Sequence, residues 1–389
     1  MDTPPPGEGP TAHQHIGIAS VQVLSLSLPE SLMRLVALLL LALVLLVPSA
    51  LGTVGFQQLS VPDAAGRPIS VFLWYPSNDP ATTQPVGSFM QTVSVDGRVL
   101  DGPLPLVLIS HGTGGGSASH YDTALALAQS GFLVAAPTHT GDNYQDQSYT
   151  GNRKNFTDRP RQVKLVLDYL LAVWPGRHHL DPSRVGMFGF SLGGFTTLVA
   201  SGGTPDLNRM LELCTTRPGA PECIFVKQRK GDQLERIAAV PAWFHDERVR
   251  VAVVAAPAVS YLFGPGSLKA VTIPIQLWRA SNDEQVPDEW NTAIVRSELG
   301  KPPEEHLVAS AGHFAFLPPC PDALAKQAPQ ICTDSAGFDR AAFHRDFNAT
   351  VVRFFTRNLS RSSPPEAQNT YSWRAPSLHF EPNQPDLVP

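Results

Sequence analysis

Charge is scarce in this chain. Only 16% of its 389 residues are Asp, Glu, Lys or Arg, and the formal net charge is −5. No basic block is present, which argues against nucleic acid as a partner, since such binding draws on clustered Lys and Arg. There is no sustained heptad and no internal repeat, so coiled coils and solenoids are set aside. Cysteine is sparse as well: four residues, none in C-x-x-C spacing, which weakens a zinc or redox reading. The apolar run Leu35–Val47 is 13 residues long, short of the roughly 20 that a membrane-spanning helix needs.

That run nevertheless has a recognisable order. Arg34 precedes it, and Pro48, Ser49 and Ala50 follow it. A short basic start, an apolar core and small residues make a secretory signal peptide over 33–52, with cleavage expected after Gly52. An uncleaved membrane anchor is the rival reading. Thr3–His15 is polar and Pro-rich, and residues 1–32 are expected to be a disordered extension, or one that is not translated if Met33 is the start. Export permits disulfides. Cys214 and Cys223 share one loop-like stretch and Cys320 and Cys332 another. Of three possible pairings the two local ones are expected, each closing a short loop.

From Phe56 the pattern becomes regular. FQQLSV and ISVFLWYP read as an antiparallel hairpin at a sheet edge. LPLVLIS (104–110) reads as a buried strand by its continuous apolar content, and FLVAAP, RVGMFG, RVAVVAAP (250–257), IPIQLWRA (273–280) and EEHLVAS (304–310) read as further strands. Helices are expected over 121–131, 159–174, 195–200 and 340–357. The alternation predicts an α/β fold, a mostly parallel sheet with helices on both faces, over 53–360. Residues 202–248 break the rhythm and are expected to form a lid. The Pro- and Ser-rich stretch 361–389 is expected to be an extended tail.

Gly189-Phe190-Ser191-Leu192-Gly193 fits G-x-S-x-G where a strand becomes a helix, the context of a nucleophile elbow. A helix-capping serine is the plain alternative. A serine nucleophile needs a base and donors for an oxyanion. SHGTGGG (110–116) follows a strand, and the backbone N–H groups of Thr113 and Leu192 are the expected oxyanion pair. A phosphate-cradling loop is disfavoured because no Gly-Lys-Ser/Thr follows. His111, directly after the strand, is expected to orient the loop. Asp283 comes just after one late strand and His313 just after the next, the expected acid and base. Glu284 and Asp288 compete for the acid role. Asp142, within THTGDNYQD (138–146), is expected to line the acyl or alcohol pocket, with Phe190 beside the serine and Trp243 in the lid adding apolar wall.

RVGMFGFSLGG, ISHGTGGG, SNDEQVP, AGHFAFL, VFLWYPS and RPRQVKLVLDYLL together resemble the secreted bacterial α/β-hydrolases called predicted dienelactone hydrolases, relatives of the plasma-type platelet-activating-factor acetylhydrolases. The resemblance spans Val54 to Leu359. It implies the α/β-hydrolase fold, the chain order Ser191, Asp283, His313, and no metal or organic cofactor. True dienelactone hydrolases use a cysteine nucleophile; the position here is Ser191, which leaves a general carboxylic-ester hydrolase acting on a small-molecule or lipid-like ester. A lipase or phospholipid esterase is the runner-up, and a non-catalytic binding protein on the same scaffold is the rival of another class. Nothing in the sequence bears on oligomeric state.

Overall fold

A computed structural model describes residues 52–229 and 243–360. The expected signal peptide (apart from Gly52), the N-terminal extension, the tail and residues 230–242 of the expected lid lie outside the described residues.

Ten strands form one sheet: β1 (Thr53–Val61), β2 (Ile69–Ser77), β3 (Thr82–Val86), β4 (Phe89–Val95), β5 (Leu104–Ser110), β6 (Leu133–Pro137), β7 (Leu180–Phe190), β8 (Val249–Ala255), β9 (Ile275–Ala280) and β10 (Glu304–Val308). Their spatial order is β10-β9-β8-β7-β5-β6-β2-β1-β4-β3. The six strands from β10 to β6 run parallel, and β2 joins β6 antiparallel. The expected β1–β2 hairpin is antiparallel, but it does not end the sheet. The edge belongs to β3 and β4, a hairpin turned at Gly87, whose φ of +62° suits glycine.

The parallel strands are apolar throughout because both faces are covered. Val107 and Ile109 of β5 face one layer, while Leu106 and Leu108 face the other. Helices α1 (Tyr121–Gln129) and α9 (Arg340–Leu359) cover the first face, with Phe347, Val351, Phe354 and Phe355 against the sheet. Helices α2 (Arg153–Ala172) and α3 (Leu192–Ala200) cover the second. Helix α2 begins six residues before the expected start at Arg159, and Pro160 lies inside it. The earlier turn is buried on the inner side through Asn155 and Phe156, so tertiary packing overrides the local break that proline suggests.

The 202–248 stretch supplies α4 (Asn208–Thr216) and α5 (Pro221–Gln228), joined by the Cys214–Cys223 disulfide. After α6 (Thr292–Glu298) and β10 come two short helices, α7 (Asp322–Gln327) and α8 (Pro329–Cys332). The Cys320–Cys332 disulfide spans them. Among the described residues no helix is long and apolar enough to cross a membrane.

Candidate active site

Ser191 stands between β7 and α3 with φ +56° and ψ −121°. A non-glycine residue there is strained, and the surroundings hold it. Its N–H donates to Ala255 O on β8 at 3.0 Å, and its carbonyl accepts from Gly194 N and Ala258 N. The glycines allow the sharp turn. A Cβ on Gly189 would lie 2.1 Å from Gly193 O, and one on Gly193 would lie 1.9 Å from Ser110 O. Neither position admits a side chain.

Three loops at the C-terminal ends of parallel strands meet at this serine. His313 opens a 3₁₀ turn (His313–Phe316) after β10, and its Nε2 accepts from Ser191 Oγ at 3.0 Å. Its Nδ1–H donates to Asp283 Oδ2 at 2.8 Å. The other oxygen, Asp283 Oδ1, accepts from the backbone N–H groups of Gln285 and Val286 at 3.1 and 2.7 Å. The carboxylate is thus held from its own loop, and the imidazole tautomer is set by its two partners. The His313 and Asp283 side chains are 4% and 5% exposed. Glu284 is exposed, and Asp288 turns outward to Arg279 and Arg296.

The loop after β5 packs against the serine. A Cβ on Gly112 would stand 3.2 Å from Ser191 Cβ. Thr113 N–H and Leu192 N–H meet no protein acceptor among the described residues, and both residues line the cavity in front of Ser191. Leu192 is the first residue of α3, where an N–H has no intrahelical partner and the helix dipole favours negative charge. His111 does orient this loop: its Nδ1–H donates to Gly112 O at 2.6 Å, and its Nε2 accepts from His139 N at 3.1 Å. Burial, with the Arg159 charge beside it, pushes the His111 imidazole down to about 3.

The cavity measures about 400 Å³. Its walls are largely apolar: Phe190 and Leu192 near the serine, Met210, Phe225 and Val226 from α4 and α5, and Leu317 beyond His313. Phe190 lies beside the serine, its ring 4.8 Å from the His313 ring between centroids. Two expectations need correction. Trp243 does not line the cavity; it packs against the cluster beneath α3 and α4, where apolar burial draws a large ring. Asp142 does not line it either. It is fully buried under the β5 loop, where its carboxylate is consumed by Gly114 N, Thr150 Oγ1, Asn155 Nδ2 and the Arg159 charge. Sequence reasoning missed Arg159 itself. The signal was its spacing, four residues before Val163 on the buried stripe of α2.

Among the described residues no group of three or more His, Cys, Asp or Glu is placed to hold a metal ion. No curated protein matches the chain in sequence. A solved ferulic acid esterase from Streptomyces cinnamoneus is similar in fold, with a TM-score of 0.54 at 18% identity, over 84% of this chain and 96% of that one. Residues 106–327 match the alpha/beta hydrolase family. That match covers more than half of the chain and runs from β5 past His313, so the protein belongs to the alpha/beta hydrolase family.

Proposed function

We propose that this protein is an exported serine hydrolase of carboxylic esters, allied to the dienelactone hydrolase-like and platelet-activating-factor-acetylhydrolase-like branch of its family. The observation that carries the reading is the chain of hydrogen bonds from Ser191 through His313 to Asp283 on the floor of an apolar cavity. His313 Nε2 takes the Ser191 proton as Oγ attacks the ester carbonyl. The tetrahedral oxyanion accepts from the N–H groups of Thr113 and Leu192. His313 returns the proton to the departing alcohol, and a water molecule then hydrolyses the acyl-enzyme by the same route, while Asp283 stabilises the transient imidazolium.

The substrate is a small ester with an apolar acyl or alcohol group, as the cavity walls favour. The likeness to a ferulic acid esterase adds an ester hydrolase of the same fold. Export is supported by the two disulfides, which persist in oxidising compartments.

Labelling with a fluorophosphonate probe separates an enzyme from a binding protein on this scaffold. Ser191→Ala is expected to keep its circular dichroism spectrum, resist the probe, and lose turnover of a short-chain ester by at least about 10³-fold. A folded Ser191→Ala with near-normal turnover overturns the reading. A panel of esters varied in acyl and alcohol parts then distinguishes a small-ester hydrolase from a lipase.

A further inference from the structure

The peptide joining Gly112 to Thr113 is held from behind. Its carbonyl oxygen, Gly112 O, accepts from His111 Nδ1–H at 2.6 Å and has Arg159 Nη2 at 3.4 Å. Arg159 Nη2 also donates to His111 O at 2.5 Å. The proton on His111 is assigned from its neighbours: His139 N–H can only donate to Nε2, and Gly112 O, at 2.6 Å, can only accept from Nδ1, so Nδ1 carries the hydrogen and Arg159 Nη2, 3.2 Å from Nδ1, directs its donation to His111 O. A trans peptide points its C=O and N–H in opposite directions, and no cis bond occurs among the described residues. With Gly112 O directed at His111 and Arg159, the Thr113 N–H is directed away from them, and Thr113 lines the same cavity as Ser191.

Arg159 is a costly way to do this. Its side chain is 1% exposed, and its counter-charge, Asp142 Oδ2, lies 3.7 Å from Nε. Nε and Nη1 make no hydrogen bond among the described residues. A buried guanidinium so incompletely paired is a poor stabilising device. Asp142 in turn accepts from Gly114 N at 3.1 Å, so the ion pair grips the loop on both sides of Thr113. A cation behind the peptide also polarises it, which strengthens its N–H as a donor.

We propose that Arg159, with Asp142 as its counter-charge, is a positioning residue that aims the Thr113 N–H at the developing oxyanion and so acts on the transition state, not on substrate binding. This rests on the serine hydrolase reading above. The roles divide plainly: Thr113 touches the reacting oxygen, and Arg159 acts through it.

The test compares wild type with Arg159→Met, which keeps much of the volume, and Arg159→Lys, which keeps the charge. Four quantities are read: kcat, KM, the Ki of a boronic acid that forms a tetrahedral adduct with the serine, and the Ki of the product carboxylic acid. Losing one oxyanion donor costs about 10²–10³-fold, so Arg159→Met is expected to lose about 30–100-fold in kcat. Boronic acid affinity should fall in step with kcat/KM, while KM and product affinity stay within about threefold. Arg159→Lys should recover part of the loss. The fluorophosphonate-titratable fraction should stay at the wild-type level, which a merely structural role would lower.

A folded Arg159→Met with kcat within about threefold of wild type overturns the proposal, as does a loss of kcat matched by loss of titratable sites. If Arg159→Met does not fold, Arg159→Lys carries the test. A kcat loss matched in the boronic acid Ki supports the clamp, and wild-type values in both overturn it. Wild-type protein that hydrolyses no ester and resists the probe would instead overturn the hydrolase reading, and the clamp with it.

Discussion

Asp283 shares its loop with Glu284 and Asp288, and only geometry separates the three. Asp283 has one oxygen on His313 and the other on two backbone N–H groups, so it is oriented without a cation. Asp288 faces Arg279 and Arg296 instead. Asp283→Asn is expected to lower turnover about 10²–10⁴-fold, through the imidazole tautomer. Glu284→Gln and Asp288→Asn should change it by less than about tenfold, since screened surface charges act weakly at that range. Purified variants of equal circular dichroism, compared on one ester at neutral pH, decide it. A crippled Asp288→Asn beside an active Asp283→Asn would move the acid. Ser191, Asp283 and His313 could be picked out as candidates because each follows a strand of the sheet, two of those strands apolar and the third, β10, marked only by its place after β9. Asp142 was misread for the same reason: its loop follows a strand too, and no local pattern tells a wall residue from one buried beneath its neighbour.

Elements were legible where apolar periodicity was strong, and less so at their ends. Pro160 disguised the first turn of α2, and the β3–β4 hairpin was passed over because Pro85 and polar residues break its alternation. The lid stretch showed only as an interruption. Its helices α4 and α5 supply Met210, Phe225 and Val226 to the cavity, and Cys214–Cys223 ties them together beyond the short main-chain connection. The second disulfide ends at Cys332, next in the chain to the cavity-lining Ile331. Both disulfides thus lie in loop and helix segments outside the sheet. Replacing Cys214 and Cys223 together by Ser is expected to speed hydrogen exchange over 208–228 while leaving the amides of β5, β7 and β8 unchanged. KM for a bulky ester should rise by at least about threefold, with the closed loop contributing about 2–3 kcal/mol locally. Uniformly faster exchange across the sheet would contradict a local role.

At the scale of the whole molecule, three buried histidines set the acid limit. Burial drives His111 and His120 down to about 3 and His139 well below its ordinary value, the Arg159 charge adding to the effect on His111 and His139. The unfolded chain takes up protons at these rings below about pH 6.5, and the folded chain does not. The unfolded state thus binds more protons in that window, so stability rises with pH from about 3 to 6.5 and is level above it. Each ring that the unfolded chain alone protonates adds to this slope, and all three act in the same direction. Asp122 and Glu304, held low by their hydrogen bonds to His344 and to Gln276, His306 and Arg357 against the cost of burial, add a further loss once the pH falls below the ordinary carboxylate range. The urea midpoint should fall steeply between pH 6 and 4, and His120→Phe should flatten the slope by about one third. A midpoint that stays constant across that range would refute the account.

A ten-stranded sheet also has two outer rows of backbone donors and acceptors, each an open template for a foreign strand. Here both rows are brief. β3 is five residues long and carries Pro85, which offers no donor. β10 is also five residues long, and its Glu304 and Glu305 are bound up with Arg279, Arg296 and Arg357. The margins of the described sheet are thus poor templates for fibrillar growth: they give another copy of this protein little backbone on which to knit its own sheet.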